Sequence, residues 1–500
     1  MWKRFNPGAI IQVALGFTVK HQVAHLKGNG VHLPPMKPKR IHLIGVAGTG
    51  MGAMAGLLKS KGLDVQGSDT SFYPPIGPFL KRIGVRLFEG YSAQHLDPRP
   101  DLVIIGNVVR KDNPEALEVL RQGIPYLSFP DALREFWLKD REVITICGTH
   151  GKTTTSALCV SALREKRPGF FVGGILKGLG RGFSEGCPPW FVIEGDEYDT
   201  AFFDKTPKFL HYNPKYVLLT SIEFDHADIY PDLDHVKDAF LRLMEIIPDD
   251  GLLVACVDSP VVREVIGACG AKVVTYGSRE EADYRLGQVQ VNRDRTHFSI
   301  RKKCSCTIEA SILLPGKHNA LNATGVFALL CEIGIDHFEI LEGLKEARGV
   351  KRRQEIVAEG HGITLIDDFA HHPTAVHETL LALRQRYRDK RRIIACFEPR
   401  TNTSRRGTFQ SAYPSALSVA DMVMVREVPE PEKAPKGDRF SSGRLVGDLN
   451  ALGVEAFLFR DGHEIYDALR RRLQDGDLVV VLSNGAFEGL VQRLREFITR

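Results

Sequence analysis

The sequence predicts an α/β protein of three domains, each built on a largely parallel sheet. Three observations predict it. A chain of 500 residues is too long for one hydrophobic core. Short apolar runs alternate with helical spacing from about residue 39 to the C-terminus. Two strand-to-helix junctions are glycine-rich turns, the local form that lets backbone N–H groups approach a phosphate.

The chain divides into residues 1–38, 39–138, 139–345 and 346–500. Residues 1–38 read as an extension that is poorly ordered. Lys3 and Arg4 precede the short apolar run Ala9–Val19, but no small-x-small cleavage site follows, and the run is too short to span a membrane. Met36 is an alternative start. Residues 39–138 open with a strand, Arg40–Ile44, and the turn Gly45-Val-Ala-Gly48-Thr-Gly50-Met-Gly52. A helix pattern follows, then a second strand ending Gly67-Ser68-Asp69, and Leu102–Ile105 reads as a buried strand. An acidic residue after the second strand is what a Rossmann-like unit uses on a ribose or base.

Residues 139–345 carry the strongest motif, Gly148-Thr-His-Gly-Lys-Thr-Thr-Thr155, between the apolar run Val143–Cys147 and the helical segment Ser156–Leu163. Strand, glycine turn and helix are the setting of a P-loop, so this block reads as a parallel-sheet domain of the P-loop ATPase type. Lys152 supplies a cation for the β- and γ-phosphates, and the Thr153 hydroxyl can ligate Mg²⁺. The usual first glycine would fall at Ile146, so the loop is shortened. Phe191–Ile193 and Tyr216–Thr220 read as buried strands that end in acidic clusters, Glu194-Gly-Asp196-Glu197 and Glu223-Phe-Asp225-His226. Such ends lie where α/β folds bind ligands. Glu194 is the best metal ligand; His226 could ligate a second ion or touch the γ-phosphate. Asn319 and Asn322, three apart, share a helix face, and their amides could read an adenine edge.

Residues 346–500 repeat the rhythm, with strands at Ile363–Ile366, Arg392–Phe397, Met422–Val425 and Leu478–Leu482, and read as a second Rossmann-like domain. Arg353 offers a cation, Asp368 a ribose contact and His371 a phosphate contact, although a histidine pair is more often structural than catalytic. Val428–Gly437 reads as a surface loop.

Net charge is +5, 66 basic minus 61 acidic residues, too small and dispersed to indicate nucleic-acid binding. Nine scattered cysteines include one close pair, Cys304 and Cys306, with no second pair to complete a zinc site. Free thiols in a reducing cytoplasm are expected.

Taken in order, these segments resemble the Mur ligases, ATP-dependent amino-acid and peptide ligases of cell-wall synthesis, over residues 40–500. The shortened loop is that family's own form. The resemblance implies ATP and Mg²⁺ as cofactors. It places Gly148, Thr149, His150, Gly151, Lys152, Thr153, Thr154, Asn319, Asn322, Arg353 and Asp368 on ATP, and Thr153, Glu194 and His226 on metal. Lys152, Glu194, His226, Arg353 and His371 would serve catalysis. The first domain would bind a UDP-sugar through Gly48, Thr49, Gly50, Met51, Gly52, Ser68, Asp69 and Asn107. Segments Glu194–Lys205, Ile222–Leu233 and Phe397–Arg405 point to the members that join UDP-N-acetylmuramate to L-alanyl-γ-D-glutamyl-meso-diaminopimelate in peptidoglycan recycling. Ligation of free L-alanine to the same UDP-sugar, or a non-catalytic UDP-sugar sensor, are the alternatives. Arg400 or Arg405 would hold the peptide's carboxylates.

Two family features are missing. A modified lysine found in several members would stand at Phe240, and the Asp-Asn-Pro-Arg signature of diaminopimelate-adding members is absent. The expected chain is cytoplasmic, without membrane insertion, monomeric or weakly dimeric, and closes its domains on nucleotide.

Overall fold

The computed structural model describes residues 38–73, 76–303, 307–388 and 391–500. The expectations for residues 1–37 and for Cys304 and Cys306 lie outside them. By contact density the chain forms two compact units, one of residues up to Ala132 together with Asp199–Thr206, the other of Leu133–Tyr198 and Pro207–Arg500.

The first unit is a five-stranded parallel sheet in the order 3-2-1-4-5, counted along the chain. Arg40–Ile44 lies at its centre, and Leu102–Ile105 beside it is buried on both faces, as its unbroken apolar run requires. The hairpin of Asp199–Ala201 and Asp204–Pro207 interrupts the second unit in sequence. Its tip, Phe202 and Phe203, packs against the apolar cluster around Ile105 and Val119 of the first unit.

The second unit holds two sheets. One has ten strands in the order 10-9-8-7-6-5-1-4-2-3. Its centre is parallel: Glu142–Cys147 lies between Tyr216–Leu219 and Trp190–Gly195, so the phosphate loop and both acidic clusters emerge at one sheet edge. The predicted parallel core is present, but Tyr284–Val291, Thr296–Lys302 and Thr307–Ile312 extend it as an antiparallel meander. The helix Lys152–Ala162 packs between this sheet and the helices Lys317–Glu332 and His337–Lys345.

The other sheet has six strands in the order 1-2-6-3-4-5, antiparallel only at Glu355–Gly360. Ile363–Asp368 and Leu478–Leu482 are wholly buried. Phe240, in the helix Leu233–Ile246, is fully buried with its ring 5.5 Å from that of Phe209. The position of the modified lysine is thus filled by core packing. Among the described residues all seven cysteines are free. No described helix is long and apolar enough to cross a membrane.

Candidate active site

The phosphate loop is shaped by what it packs against. Gly148 has φ of 127°, and a Cβ there would lie 2.2 Å from Thr220 Oγ1. Gly151, at φ 82°, caps the helix that begins at Lys152. Only glycine tolerates both positions without strain. Thr149 ties the loop to the neighbouring strand end: its Oγ1 accepts from Glu223 N at 2.8 Å and donates to Glu223 O at 3.1 Å. Thr153 and Thr154 are half-buried in the first helical turn.

Lys152 folds back over the loop. Its Nζ donates to Gly148 O at 2.7 Å and to Glu197 at 2.8 and 3.1 Å. Burial alone would lower the ammonium pKa, but Glu197 and then Asp196 outweigh it and raise it. Glu197 itself, despite burial, is held down to about 2 by Lys152 and His226. His226, at φ 53°, sets Nε2 3.4 Å from Glu197, and Glu197 outweighs burial to raise its pKa. His226, expected to ligate a second ion or touch the γ-phosphate, is here paired with Glu197, a residue to which the sequence reading assigned no role. The available signal was its position in the acidic cluster past the strand end.

Glu194 ends its strand buried, and its Oε1 has no hydrogen-bond partner. Burial first, and Asp196 second, push it up to about 7 against Thr153, Lys152 and Arg353. A buried carboxylate oxygen without a donor, close to a threonine hydroxyl, is an oxygen donor set that fits a hard divalent cation. The imidazole of His226 fits Mg²⁺ less well.

The third-sheet residues reach this edge. Arg353 Nη2 lies 3.5 Å from Thr153 Oγ1, with its guanidinium over the Phe369 ring. Asp225 accepts from Thr403 Oγ1 at 2.8 Å, and Asn402 donates to Asp228 at 2.9 Å, tying the acidic loop to the segment after Ile393–Phe397. His371 Nε2 lies 4.0 Å from Asp225, and burial lowers its pKa.

Other expected contacts are less direct. Both oxygens of Asp368 accept backbone N–H groups, of Gln354 at 2.7 Å and Ala370 at 2.6 Å, so the residue shapes the turn that carries Arg353. Asn319 donates to Pro315 O at 2.7 Å, and the Asn322 amide lies against Gly151. Arg405 is buried and spent on Pro429 O and Glu430, both at 2.8 Å; Arg400 stays half-exposed over Gly485.

In the first unit, Asp69 accepts from Ala47 N at 2.8 Å and so pins the turn before Gly48–Gly52. Tyr91 donates to it at 3.4 Å, and burial, then Asp69, push the phenol up to about 12. Asn107 is exposed past Leu102–Ile105. Ser68 holds this turn through its backbone, its carbonyl accepting from Gly45 N at 2.9 Å and Val46 N at 3.1 Å. Its side chain is fully buried and donates to Glu115, which also meets His42 Nε2 at 3.1 Å and His95 Nδ1 at 2.6 Å. The Ser68 hydroxyl is therefore engaged inside the sheet, on Glu115.

Comparison with known proteins identifies the family. Three family models match: Mur ligase family, catalytic domain, over residues 40–141; Mur ligase middle domain over 146–330; and Mur ligase, glutamate ligase domain, over 352–485. The UDP-N-acetylmuramate--L-alanyl-gamma-D-glutamyl-meso-2,6-diaminoheptandioate ligase of Escherichia coli (strain K12) is 35% identical over 92% of this chain and 98% of its own length. Its counterpart in Haemophilus influenzae is 34% identical over 91% and 98%. A UDP-N-acetylmuramate--L-alanine ligase of Methylobacillus flagellatus is 33% identical over 92% and 96%. Among solved structures, a murein peptide ligase from Psychrobacter arcticus superimposes with a TM-score of 0.68 at 30% identity, covering 91% of this chain and 98% of that one. The UDP-N-acetylmuramate-alanine ligase of Thermotoga maritima gives 0.75 at 28%, covering 92% and 99%. The chain belongs to the Mur ligase family and is an ATP-dependent ligase that forms carbon–nitrogen bonds.

Proposed function

We propose that the chain joins the lactyl carboxylate of UDP-N-acetylmuramate to the amine of L-alanyl-γ-D-glutamyl-meso-diaminopimelate, in the cytoplasm, as a step of peptidoglycan recycling. The observation that carries this reading is the similarity, over nearly their full lengths, to two ligases named for this pair of substrates. The working domain boundaries 39–138, 139–345 and 346–500 belong to the same proposal.

The carboxylate oxygen attacks the γ-phosphorus of ATP, giving an acyl phosphate and ADP. The L-alanine α-amine then attacks the acyl carbon, and the tetrahedral intermediate expels phosphate. A carboxylate is a poor electrophile, so activation is required, and the protein's part is positioning and charge neutralisation. Lys152 and the backbone of Gly148–Thr154 hold the polyphosphate. Arg353 would neutralise the transferring group, and His371 would contact phosphate. Asn319, Asn322 and Asp368 frame the nucleoside. Thr153 and Glu194 would hold Mg²⁺, with His226 and its partner Glu197 as a second position. Bound there, the metal would offset phosphate charge. Glycines 48, 50 and 52 with Thr49, Met51, Asp69 and Asn107 would receive the UDP-sugar, and Arg400 the peptide's carboxylates.

ADP release measured with UDP-N-acetylmuramate and a small peptide panel tests the reading. Turnover that requires the UDP-sugar and prefers the tripeptide supports it. Equal or better turnover with free L-alanine replaces it with the alanine-adding reaction. No ADP release with either overturns it.

A further inference from the structure

Beside the phosphate loop, but outside the groups assigned above to metal, lie His150, Glu223 and His372. Each offers one donor atom, and these atoms lie within 4.8 Å of one another. His150 Nε2 is 3.3 Å from Glu223 Oε2, and His372 Nδ1 is 3.8 Å from the same oxygen. Tetrahedral zinc with bonds of about 2.0–2.1 Å separates its donors by roughly 3.3 Å. The three are therefore close to ligating distance with little movement. We propose that His150, Glu223 and His372 form a binding site for a borderline divalent cation, of which Zn²⁺ is the best fit.

Each donor is oriented by a second partner. His372 Nε2 faces Phe224 O at 3.3 Å, and a proton held there leaves Nδ1 as the lone-pair nitrogen turned to Glu223. A carbonyl behind a ligating imidazole is the usual outer partner of a metal-bound histidine. The Thr374 amide meets Nδ1 at 3.3 Å, a long contact that a cation would replace. Thr374 Oγ1 donates to Glu223 Oε2 at 2.7 Å and steadies the carboxylate. The His372 ring rests against Phe409, with centroids 4.6 Å apart, and against His150 at 4.5 Å. Glu223 is fixed to the loop by its two backbone bonds to Thr149.

The charge state suits a metal. Burial raises the Glu223 carboxyl, but His150 and Thr374 outweigh it and hold the pKa at about 2. Burial, then His150, lowers His372 to about 4. At neutral pH the site thus offers a carboxylate and a neutral imidazole, the forms that ligate. Two imidazoles with one carboxylate favour Zn²⁺ over Mg²⁺, which prefers oxygen. The consequence follows from position. His150 lies inside the loop, Glu223 follows Tyr216–Leu219, and His372 caps the helix Pro373–Arg386 of the other sheet. A cation there would tie the loop's own His150 side chain to the start of that helix.

The test is calorimetric titration of the full chain with Zn²⁺ in excess Mg²⁺, with Co²⁺ absorption as a report on geometry. One ion per chain and a tetrahedral Co²⁺ spectrum that Zn²⁺ abolishes are expected. Glu223→Gln and His372→Gln should each weaken binding at least about 100-fold, and Thr374→Val about 10-fold, as outer partners do. Glu194→Gln should leave it unchanged. Thermal unfolding of each variant without Zn²⁺ reports its fold; should His372→Gln unfold, Glu223→Gln and Thr374→Val decide. Binding that is insensitive to these two, that is lost in Glu194→Gln, or that is absent at micromolar Zn²⁺ overturns the proposal. None of these readouts depends on which peptide the enzyme uses.

Discussion

Glu197 and Glu194 are both buried carboxylates at one strand end, yet their surroundings drive them apart. Glu197 sits between Lys152 and His226 and is held to about 2, whereas Glu194 is left with an unpaired oxygen and rises to about 7. The first orients cations already in the protein; the second suits one that arrives with the nucleotide. Glu197→Gln should therefore loosen Lys152 and His226 and cut turnover by roughly 10–100-fold, measured as ADP release, while UDP-sugar binding stays intact. A loss of UDP-sugar binding would refute that role. Gly173 offers a second probe, because a Cβ there would lie 2.6 Å from Glu194 Oε2. Gly173→Ala should push this carboxylate aside and raise the Mg²⁺ concentration needed for half-maximal turnover about tenfold or more. An unaltered Mg²⁺ dependence would argue against Glu194 as the ligand.

At the scale of elements, the helix Lys152–Ala162 carries Lys152 and Thr153 at its first turn and is seated by close packing at its last. Ser161 Oγ donates to Gly343 O at 2.7 Å, and a Cβ at Gly343 would lie 2.5 Å from Ala162 Cα. Since the obstacle is backbone, Gly343→Ala must separate the two helices, costing about 1–3 kcal/mol, visible in chemical denaturation. In the first unit, Glu115 connects the strands Arg40–Ile44 and Asp64–Asp69 with the segment Ser92–His95: it meets His42, Ser68, His95 and the Ser92 amide. Burial raises its pKa, but the histidines and Ser68 win and lower it below 4.5. A carboxyl depressed on folding contributes stability above its unfolded pKa and loses it as pH falls through the folded value. Glu115→Gln should cost roughly 2–4 kcal/mol at neutral pH and flatten the acid limb of stability below pH 4.5. A parallel acid limb would show that other carboxyls carry that limb.

At the scale of the molecule, the phosphate loop lies in one compact unit and the Gly48–Gly52 turn in the other. Lys152→Ala should lower ligation by at least about 10²–10³-fold and leave UDP-N-acetylmuramate affinity unchanged by calorimetry. Lost UDP-sugar affinity in a variant of unchanged thermal stability would mean the lysine serves that substrate. Within the second unit, Thr403 with Asp225 and Asn402 with Asp228 join the third sheet to the acidic loop, so residues more than 170 apart in sequence border one site.

Much of this was legible in the chain. Leu102–Ile105 and Leu478–Leu482 stand where their apolar runs place them, because a strand buried on both faces admits little else. The loop Gly148–Thr155 declares itself because few residues other than glycine tolerate its φ angles, and Lys152 must follow them. The meander Tyr284–Ile312 was not legible. Its strands are half exposed, and a bulge between Leu286 and Val289 breaks their alternation. Nor could the chain show that His226 would meet Glu197, that Ser68 would turn into the core, that Arg405 would be spent on Pro429 and Glu430, or that His372 would lie against His150. Covalent order alone determined the strands, the glycine turns and the catalytic vocabulary, because these depend on neighbours within a few residues. Which carboxylate faces which cation was decided only by tertiary packing, since a charge's partner and its exposure to water are set by segments that sequence separation keeps far apart.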